Sequence, residues 1–176
     1  MHIVTPSRLI PLLAVALVTT LPGFAANPVI PRHGINDPHV RIHDGKAYLF
    51  ASHDRSIENK SFVMDDWRIY SSTDLVHWQP ESIITPNMTY LRSPFTGCWA
   101  PDAAFRNGQW YFYFSEKNQR TGVLVSDSIK GPWRDPLGGP LLNSDLTPTD
   151  EYDMGILQDD DGTAYIVFGV WEYYIA

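Results

Sequence analysis

From residue 26 onward, the hydrophobic positions follow the spacing of β-strands, and no window carries the apolar stripe of a helix. Short aromatic and β-branched runs occur at 47–52, 110–115 and 164–169. Each run follows an x-Gly dipeptide, which is typical of the turn of a β-hairpin. The pattern therefore predicts an all-β chain of short, closely spaced strands.

These runs belong to a repeat of three units. Each unit reads as an aspartate, a short apolar strand, an x-Gly turn and an aromatic strand, and the first two continue into a strand rich in serine and small residues. The leading aspartates are Asp37, Asp102 and Asp153, which lie 65 and then 51 positions apart. A repeat of this length, with about four strands per unit, is the signature of a β-propeller. The sequence predicts about two and a half blades.

Two and a half blades do not close a ring, so we expect the chain to be a fragment or a truncated gene product. Because the first strand of a blade lines the central channel, the three aspartates are expected to converge at one end of that channel. Two causes are open for such a cluster. An aspartate can accept backbone N–H bonds from a neighbouring blade, or the carboxylates can form a functional pocket with the aromatic residues.

Residues 1–25 are set apart from the predicted fold. Arg8 precedes an apolar run at 9–21, which is short for a bilayer span, and the segment ends in Ala25. This order of charged, apolar and small residues is typical of a secretory signal peptide. It predicts cleavage after Ala25 and a secreted or periplasmic protein, whose residues 26–176 form the N-terminal part of one propeller domain.

The charge of the mature region limits its partners. Removal of residues 1–25 takes away Arg8 and no acidic residue, which leaves 12 Lys and Arg against 20 Asp and Glu, a net charge of −8. An acidic chain without basic clusters is a poor partner for nucleic acid or an anionic membrane, whereas neutral sugars are unaffected. Cys98 is the sole cysteine, so no internal disulfide can form, and we expect a buried thiol.

Clustered carboxylates beside aromatic rings suit the hydrolysis of glycosidic bonds. One carboxylate activates water or attacks the anomeric carbon, while a second acid protonates the leaving oxygen. Aromatic side chains offer flat apolar faces to the C–H surfaces of sugars. The sequence motifs around the aspartates make this interpretation more specific.

Four stretches carry a family resemblance: NDPHV at 36–40, YSSTDLVHW at 70–78, CWAPD at 98–102 and YDMGILQDDDG at 152–162. The second and third are the most specific. Together they resemble glycoside hydrolase family 43, and they cover the mature chain but only the first half of a family domain. The resemblance implies a five-bladed propeller that hydrolyses arabinose- and xylose-containing polysaccharides, such as arabinan, arabinoxylan and xylan, with inversion.

The resemblance also implies roles for individual residues. Asp37 matches the general base, and Asp153 matches the aspartate that tunes the pKa of the acid and orients the sugar, although this chain has Asp-Met where the family usually has Asp-Pro. Trp99 matches a wall of the subsite for the terminal sugar. Asp102 is interpreted as a structural acceptor. The general acid is a glutamate on a later blade, and Glu172 follows Asp153 too closely to supply it.

Other interpretations stay open at this point. A chain without the acid and the remaining blades is also compatible with an inactive truncated propeller or a weak sugar-binding module. Asn36-Asp37-Pro38 and Arg134-Asp135-Pro136 resemble two motifs of the fructan-cleaving propellers of family 32, in which the first aspartate is a nucleophile. No cofactor or metal is expected from this stretch, since the family resemblance places the main ligand of any central metal on a later blade.

Overall fold

In the computed structural model of the chain, the residues described are 28–31, 34–56, 62–143 and 146–176, so the predicted signal peptide lies outside them. Ten strands form within these ranges, with one turn of 3-10 helix at Pro86–Met88. No helix in these ranges is long and apolar enough to cross a membrane. The strands are β1 (Gly34–His43), β2 (Lys46–Asp54), β3 (Met64–Ser72), β4 (Gln79–Ile84), β5 (Cys98–Arg106), β6 (Gln109–Glu116), β7 (Arg120–Ser126), β8 (Gly155–Gln158), β9 (Ala164–Phe168) and β10 (Tyr174–Ile175).

The strands form three antiparallel sheets, and each sheet corresponds to one unit of the sequence repeat. Their strand orders are β1-β2-β3-β4, β5-β6-β7 and β8-β9-β10. The first strand of each unit lies at an edge of its sheet, and β5 contacts both β1 and β8. The all-β partial propeller predicted from the repeat is therefore confirmed, with β1, β5 and β8 as the neighbouring inner strands.

The second sheet has three strands where four were expected. In place of a fourth strand, the chain after β7 runs beside it and forms two isolated bridges, between Val125 and Arg134 and between Thr121 and Leu142. Backbone N–H and C=O groups of Val125 and Arg134 bond each other in both directions, at 2.9 and 3.0 Å. The outer edge of the second sheet is thus partly covered without a regular strand.

Two of the three predicted hairpin turns have the same geometry. Asp44-Gly45 and Asn107-Gly108 have positive φ at both central residues, which is the requirement of a two-residue type I′ turn. The third turn is longer than the sequence predicted, because β8 ends at Gln158 and β9 begins at Ala164. Its closing bond runs from the N–H of Asp159 to the carbonyl of Thr163, at 2.8 Å.

The alternation of side chains along β6 explains how the sheets pack. Trp110, Phe112 and Phe114 point into the main core against the first sheet, whereas Tyr113 packs against the smaller core shared with the third sheet. The second sheet is therefore sandwiched between the other two. Cys98 is fully buried in the main core, where burial raises the pKa of its thiol.

Candidate active site

One pocket lies where the inner strands meet, with a volume of about 300 Å³. It brings together three of the residues singled out in the sequence, Asp37, Trp99 and Asp153, from the first, second and third units of the repeat. Asp37 and Asp153 are the two carboxylates among the described lining residues. The complete described lining is Asn36, Asp37, Phe62, Met64, Trp99 and Asp153.

Asp37 is aimed at the pocket by a bulge in β1. The register of β1 against β2 shifts between Asn36 and His39, so that Asp37 and Pro38 stand opposite one residue of β2. A bulge on an edge strand is one of the few strand positions that tolerate proline. The bulge therefore explains why a proline follows Asp37 within the strand. β1 begins at Gly34, earlier than the sequence suggested.

The Asp37 backbone lies in the left-handed region, with φ of 48°. Aspartate is among the residues that tolerate this region, and strained positions of this kind concentrate at functional sites. The Ser52 hydroxyl on β2 lies 2.9 Å from Oδ2 of Asp37 and 3.1 Å from the carbonyl of Asn36. A neutral hydroxyl thus orients the carboxylate through Oδ2 and leaves Oδ1 without a bond to Ser52.

Asp153 reaches the pocket from the segment that precedes β8. Its φ is 52°, and its N–H donates to the Ser115 hydroxyl at 3.0 Å. The residue is exposed at the pocket mouth, but protein atoms crowd its carboxyl group, and this desolvation raises the carboxyl pKa above the ordinary value. The negative charge of Asp37 raises the pKa further, while His39 lowers it. The two carboxylates are therefore electrostatically coupled.

Trp99 occupies the position of the second sheet that Asn36 occupies in the first. It pairs with Ser115 as Asn36 pairs with Ser52, and a register shift follows it in the strand, as one follows Asn36. Its backbone carbonyl accepts a bond of 2.8 Å from the indole of Trp67. The half-buried ring is therefore held at the pocket wall by its own strand.

Asp102 does not join the other two aspartates, so the expectation that all three converge is wrong. His39 on β1 pairs with Phe50, which lies two residues before Ser52. Asp102 on β5 pairs with Tyr113, which lies two residues before Ser115, so Asp102 matches His39 and not Asp37. Asp102 thus lies two positions farther along its strand than the position that matches Asp37. Its carboxylate is fully buried between the sheets and accepts bonds from Arg41 and from the Ile156 N–H.

Phe62 and Met64 are lining residues that the sequence analysis did not single out. Phe62 lies just before β3, has φ of 50° and is 60% exposed, while Met64 is buried at the start of that strand. No local pattern marks either position, because Phe62 and Met64 reach the pocket only through the tertiary fold. A large exposed aromatic residue in a loop is the signal that could have drawn attention to Phe62.

A second cleft, of about 370 Å³, is larger but has different chemistry. Its lining is mainly polar and includes Arg55, Asp65 and Asp66. Both of these aspartates are in ion pairs, Asp65 with Arg55 and Asp66 with Arg68. We therefore place the candidate active site in the smaller pocket, whose Asp37 carboxylate is held by a neutral hydroxyl instead.

The raised pKa of Asp153 predicts a pH-dependent stability. The pKa of Asp153 in the folded state lies above the ordinary 3.8. The stability that the protonated carboxyl group contributes is therefore fully present below pH 3.8 and is lost as the pH rises through the folded pKa. Asp153→Asn is therefore expected to raise the free energy of unfolding at pH 7 by at most about 1 kcal/mol, and to change it little near pH 3.5. Urea unfolding at the two pH values measures this.

Asp161→Asn is the matched control, with the opposite sign. The pKa of Asp161 is lowered by a hydrogen bond from the Thr163 N–H, so its contribution to stability is present at neutral pH and lost on acidification. The control should therefore lose stability at pH 7. A loss of stability at pH 7 in Asp153→Asn as well would contradict the assigned environment of Asp153.

A propeller pocket with two coupled carboxylates and a tryptophan wall has the groups that a glycoside hydrolase site requires. The profile of the family described as Glycosyl hydrolases family 43 matches residues 25–175. The chain belongs to this family, as its sequence motifs indicated. This match favours family 43 over the fructan-cleaving family 32, which the Asn-Asp-Pro motif alone had left open.

Curated relatives and solved structures agree with this membership. An arabinoxylan arabinofuranohydrolase of Paenibacillus polymyxa is 32% identical over 85% of this chain and 27% of its own length. The xylosidase/arabinosidase 43A of Humicola insolens is 32% identical, over 81% of this chain and 45% of its own. A β-xylosidase/α-arabinofuranosidase from a compost metagenome, solved with xylotriose in a calcium-free form, superposes with a TM-score of 0.63 at 28% identity, covering 81% of this chain and 44% of its own. This chain thus spans less than half of each.

The calcium-free form of that neighbour raises the question of a metal. In the described ranges, His53, Asp65 and Asp66 can bring one ligand atom each within 4.8 Å of one another. Calcium takes six to eight oxygen ligands, whereas this cluster offers a ring nitrogen and two carboxylates that already pair with Arg55 and Arg68. The cluster therefore does not fit a calcium site.

Proposed function

We propose that this chain is the N-terminal part of a family 43 catalytic propeller that cleaves arabinofuranosyl or xylosyl linkages in arabinoxylan- or xylan-type saccharides. The observation that carries the proposal is the meeting of Asp37, Asp153 and Trp99 in one pocket, from three separate units of the repeat. The relatives are an arabinoxylan arabinofuranohydrolase and a xylosidase/arabinosidase, which supports the substrate class. The activity proposed is that of the whole enzyme.

In the proposed reaction, the Asp37 carboxylate is the general base of a single displacement. Ser52 holds Oδ2, so Oδ1 accepts a proton from a water in the pocket as that water attacks the anomeric carbon. The bond from the anomeric carbon to the leaving oxygen breaks on the opposite side of the sugar, and the configuration inverts. The leaving oxygen takes its proton from a general acid, for which family resemblance implies a glutamate of a later blade.

Asp153 is proposed to orient the sugar and to tune the acid. Its carboxyl is coupled to Asp37, and the repulsion between the two raises its pKa. A negative charge beside a second carboxylic acid keeps that acid protonated at higher pH, as proton donation to a leaving group requires. Asp153 therefore has a role that needs no contact with the scissile oxygen.

Hydrolysis of 4-nitrophenyl α-L-arabinofuranoside and 4-nitrophenyl β-D-xyloside by the complete protein tests the proposal. Release of nitrophenol from either glycoside supports it, and the ratio of the two rates identifies the preferred sugar. Binding of xylotriose by calorimetry without any turnover would instead support the alternative of a sugar-binding module. Absence of both binding and turnover would contradict the proposal.

Trp99→Ala is expected to weaken saccharide binding by about tenfold. The ring forms one wall of the pocket, and the loss of one aromatic stacking contact corresponds to about 1.4 kcal/mol. The backbone bond from Trp67 does not depend on the Trp99 side chain, so the fold should persist. Calorimetry with xylotriose measures the change.

Trp78→Ala is the matched control for the Trp99 variant. Trp78 is also a half-buried tryptophan, but it packs against a separate cluster in the first sheet, away from the pocket. Its replacement should leave the binding constant unchanged. Equal losses of binding in both variants would contradict a wall role for Trp99.

We further propose that the protein is exported to the periplasm or the exterior, where such polysaccharides occur. Support comes from the charged, apolar and small-residue order of residues 1–25. N-terminal sequencing of the exported protein should give Ala26 as its first residue. An N-terminus at Met1 in a cell-associated protein would contradict this.

A further inference from the structure

One buried ion pair outside the pocket joins all three sheets. Asp102 on β5 has a fully buried carboxylate, and Arg41 on β1 donates to it through both Nε, at 2.9 Å, and Nη2. The same carboxylate accepts the N–H of Ile156 on β8 at 2.7 Å. Arg41 Nη2 also donates to the carbonyl of Ile156 at 2.7 Å. The pair therefore binds both backbone polar groups of one β8 residue.

The two ends of this ion pair lie a few residues from the two pocket aspartates. Arg41 follows Asp37 by four positions on β1, and Ile156 follows Asp153 by three. At about 3.3 Å per strand residue, the pair lies roughly 10–13 Å along the strands from the pocket. It is close enough to set where the two segments stand relative to each other, and too far away to touch a sugar held between Asp37 and Asp153.

We propose that Arg41 and Asp102 are positioning residues that fix the separation between the carboxyl groups of Asp37 and Asp153. Asp37 lies in the first sheet and Asp153 lies just before the third, so no continuous strand sets their distance. The guanidinium of Arg41 forms three directional bonds at once, an arrangement that a lysine ammonium does not reproduce. This inference rests on the proposed function and adds the residues that hold its two carboxylates in place.

The side chains of β1 show why this pair and not its neighbours takes the role. His39 also faces β5, but its Nδ1 donates to the carbonyl of Pro101 at 2.8 Å and binds two sheets only. His43 stacks on Phe105 with ring centroids 3.9 Å apart, an apolar contact without a fixed bond. Among the described contacts of these three β1 side chains, that of Arg41 is the one that reaches β8.

The test measures the coupling between the two aspartates and needs no turnover. The Asp153 carboxyl is titrated by carbon-13 NMR in the intact chain, with and without Asp37→Asn. Among the residues that the structure describes, the titratable groups that act on Asp153 are Asp37 and His39 on β1, with Tyr152 beside it in the chain. Removal of the Asp37 charge should lower the pKa of Asp153, and the size of this decrease reports the separation of the two carboxyl groups.

The same pair of titrations is then made in Arg41→Lys and in Asp102→Asn. We expect the decrease caused by Asp37→Asn to fall to less than about half of its value in the unchanged chain. Glu81→Gln is the matched control, because Glu81 is also a buried carboxylate paired with a basic residue of an inner hairpin, Lys46, away from the pocket. The control should leave the decrease unchanged.

In the complete enzyme, Arg41→Lys should lower kcat by about 10- to 100-fold with a smaller change in KM, since misplacement of a catalytic group by about 1 Å has effects of this size. If Asp37→Asn lowered the pKa of Asp153 as much in Arg41→Lys and in Asp102→Asn as in the unchanged chain, the inference would be overturned. Unfolding of both variants beside a folded Glu81→Gln would also overturn it, because the pair would then hold the whole fold and not the pocket geometry. If Asp37→Asn left turnover intact, the proposed function would fail while the titrations still reported on the ion pair.

Discussion

Replacement of Asp37 by asparagine is expected to lower kcat for aryl arabinofuranosides and xylosides by about 10²- to 10⁴-fold, the usual contribution of a general base. Asparagine keeps the size of the side chain, keeps an oxygen for the Ser52 hydroxyl, and tolerates the left-handed backbone at φ of 48°. The fold and saccharide binding should therefore persist, and the loss should fall on kcat. Steady-state kinetics with both aryl glycosides measure it.

Asp44→Asn is the matched control for this variant. Asp44 is also an exposed aspartate in the left-handed region, at φ of 49°, but it lies in the β1–β2 turn at the other end of the strand. Its replacement should leave kcat unchanged. Near-normal turnover in Asp37→Asn, or an equal loss in Asp44→Asn, would remove Asp37 from the role of base.

Phe112→Ala is expected to destabilise the fold by about 3–5 kcal/mol, as truncation of a buried phenylalanine usually does. Phe112 is fully buried at the centre of the main core. Its ring lies 5.8 Å from that of Trp133, 5.9 Å from Trp67 and 6.2 Å from Phe50, between centroids. Truncation would leave a cavity between the first two sheets, which carry Asp37 and Trp99.

Tyr111→Ala controls for the loss of an aromatic strand residue. Tyr111 is the neighbour of Phe112 on β6 and is only partly buried on the opposite face. Its truncation should cost about 1 kcal/mol, near the average for point variants. Denaturant unfolding gives both values, and equal losses in the two variants would contradict the central place of Phe112 in the core.

Local chemistry explains which parts of the fold were predictable. The Asp44-Gly45 and Asn107-Gly108 turns and the alternation along β6 depend on residues close in sequence, so each can be inferred from its own stretch. The third hairpin deviates because Asp159 and Thr163 close a longer loop around Asp161-Gly162. The repeat of three units was enough to predict three neighbouring sheets.

The site was predictable only where the repeat and the fold agree. Asp37 and Asp153 meet in the pocket, whereas Asp102 lies two register positions deeper. The bulges of β1 and β5 each add one residue, so the offset comes from the shorter spacing between Asp102 and its turn glycine Gly108 than between Asp37 and Gly45. A sequence repeat aligned on aspartates cannot show this difference. Phe62 was missed for another reason, since a loop residue joins a pocket only through contacts distant in sequence.

The central claim is that Asp37 activates a water for a single displacement in a family 43 pocket. Proton NMR of the first sugar released from an aryl arabinofuranoside or xyloside, recorded before mutarotation, tests it most directly. We predict that this sugar has the anomeric configuration opposite to that of the substrate. Release of a sugar with retained configuration would contradict the account, because Asp37 would then act as a nucleophile and not as a base.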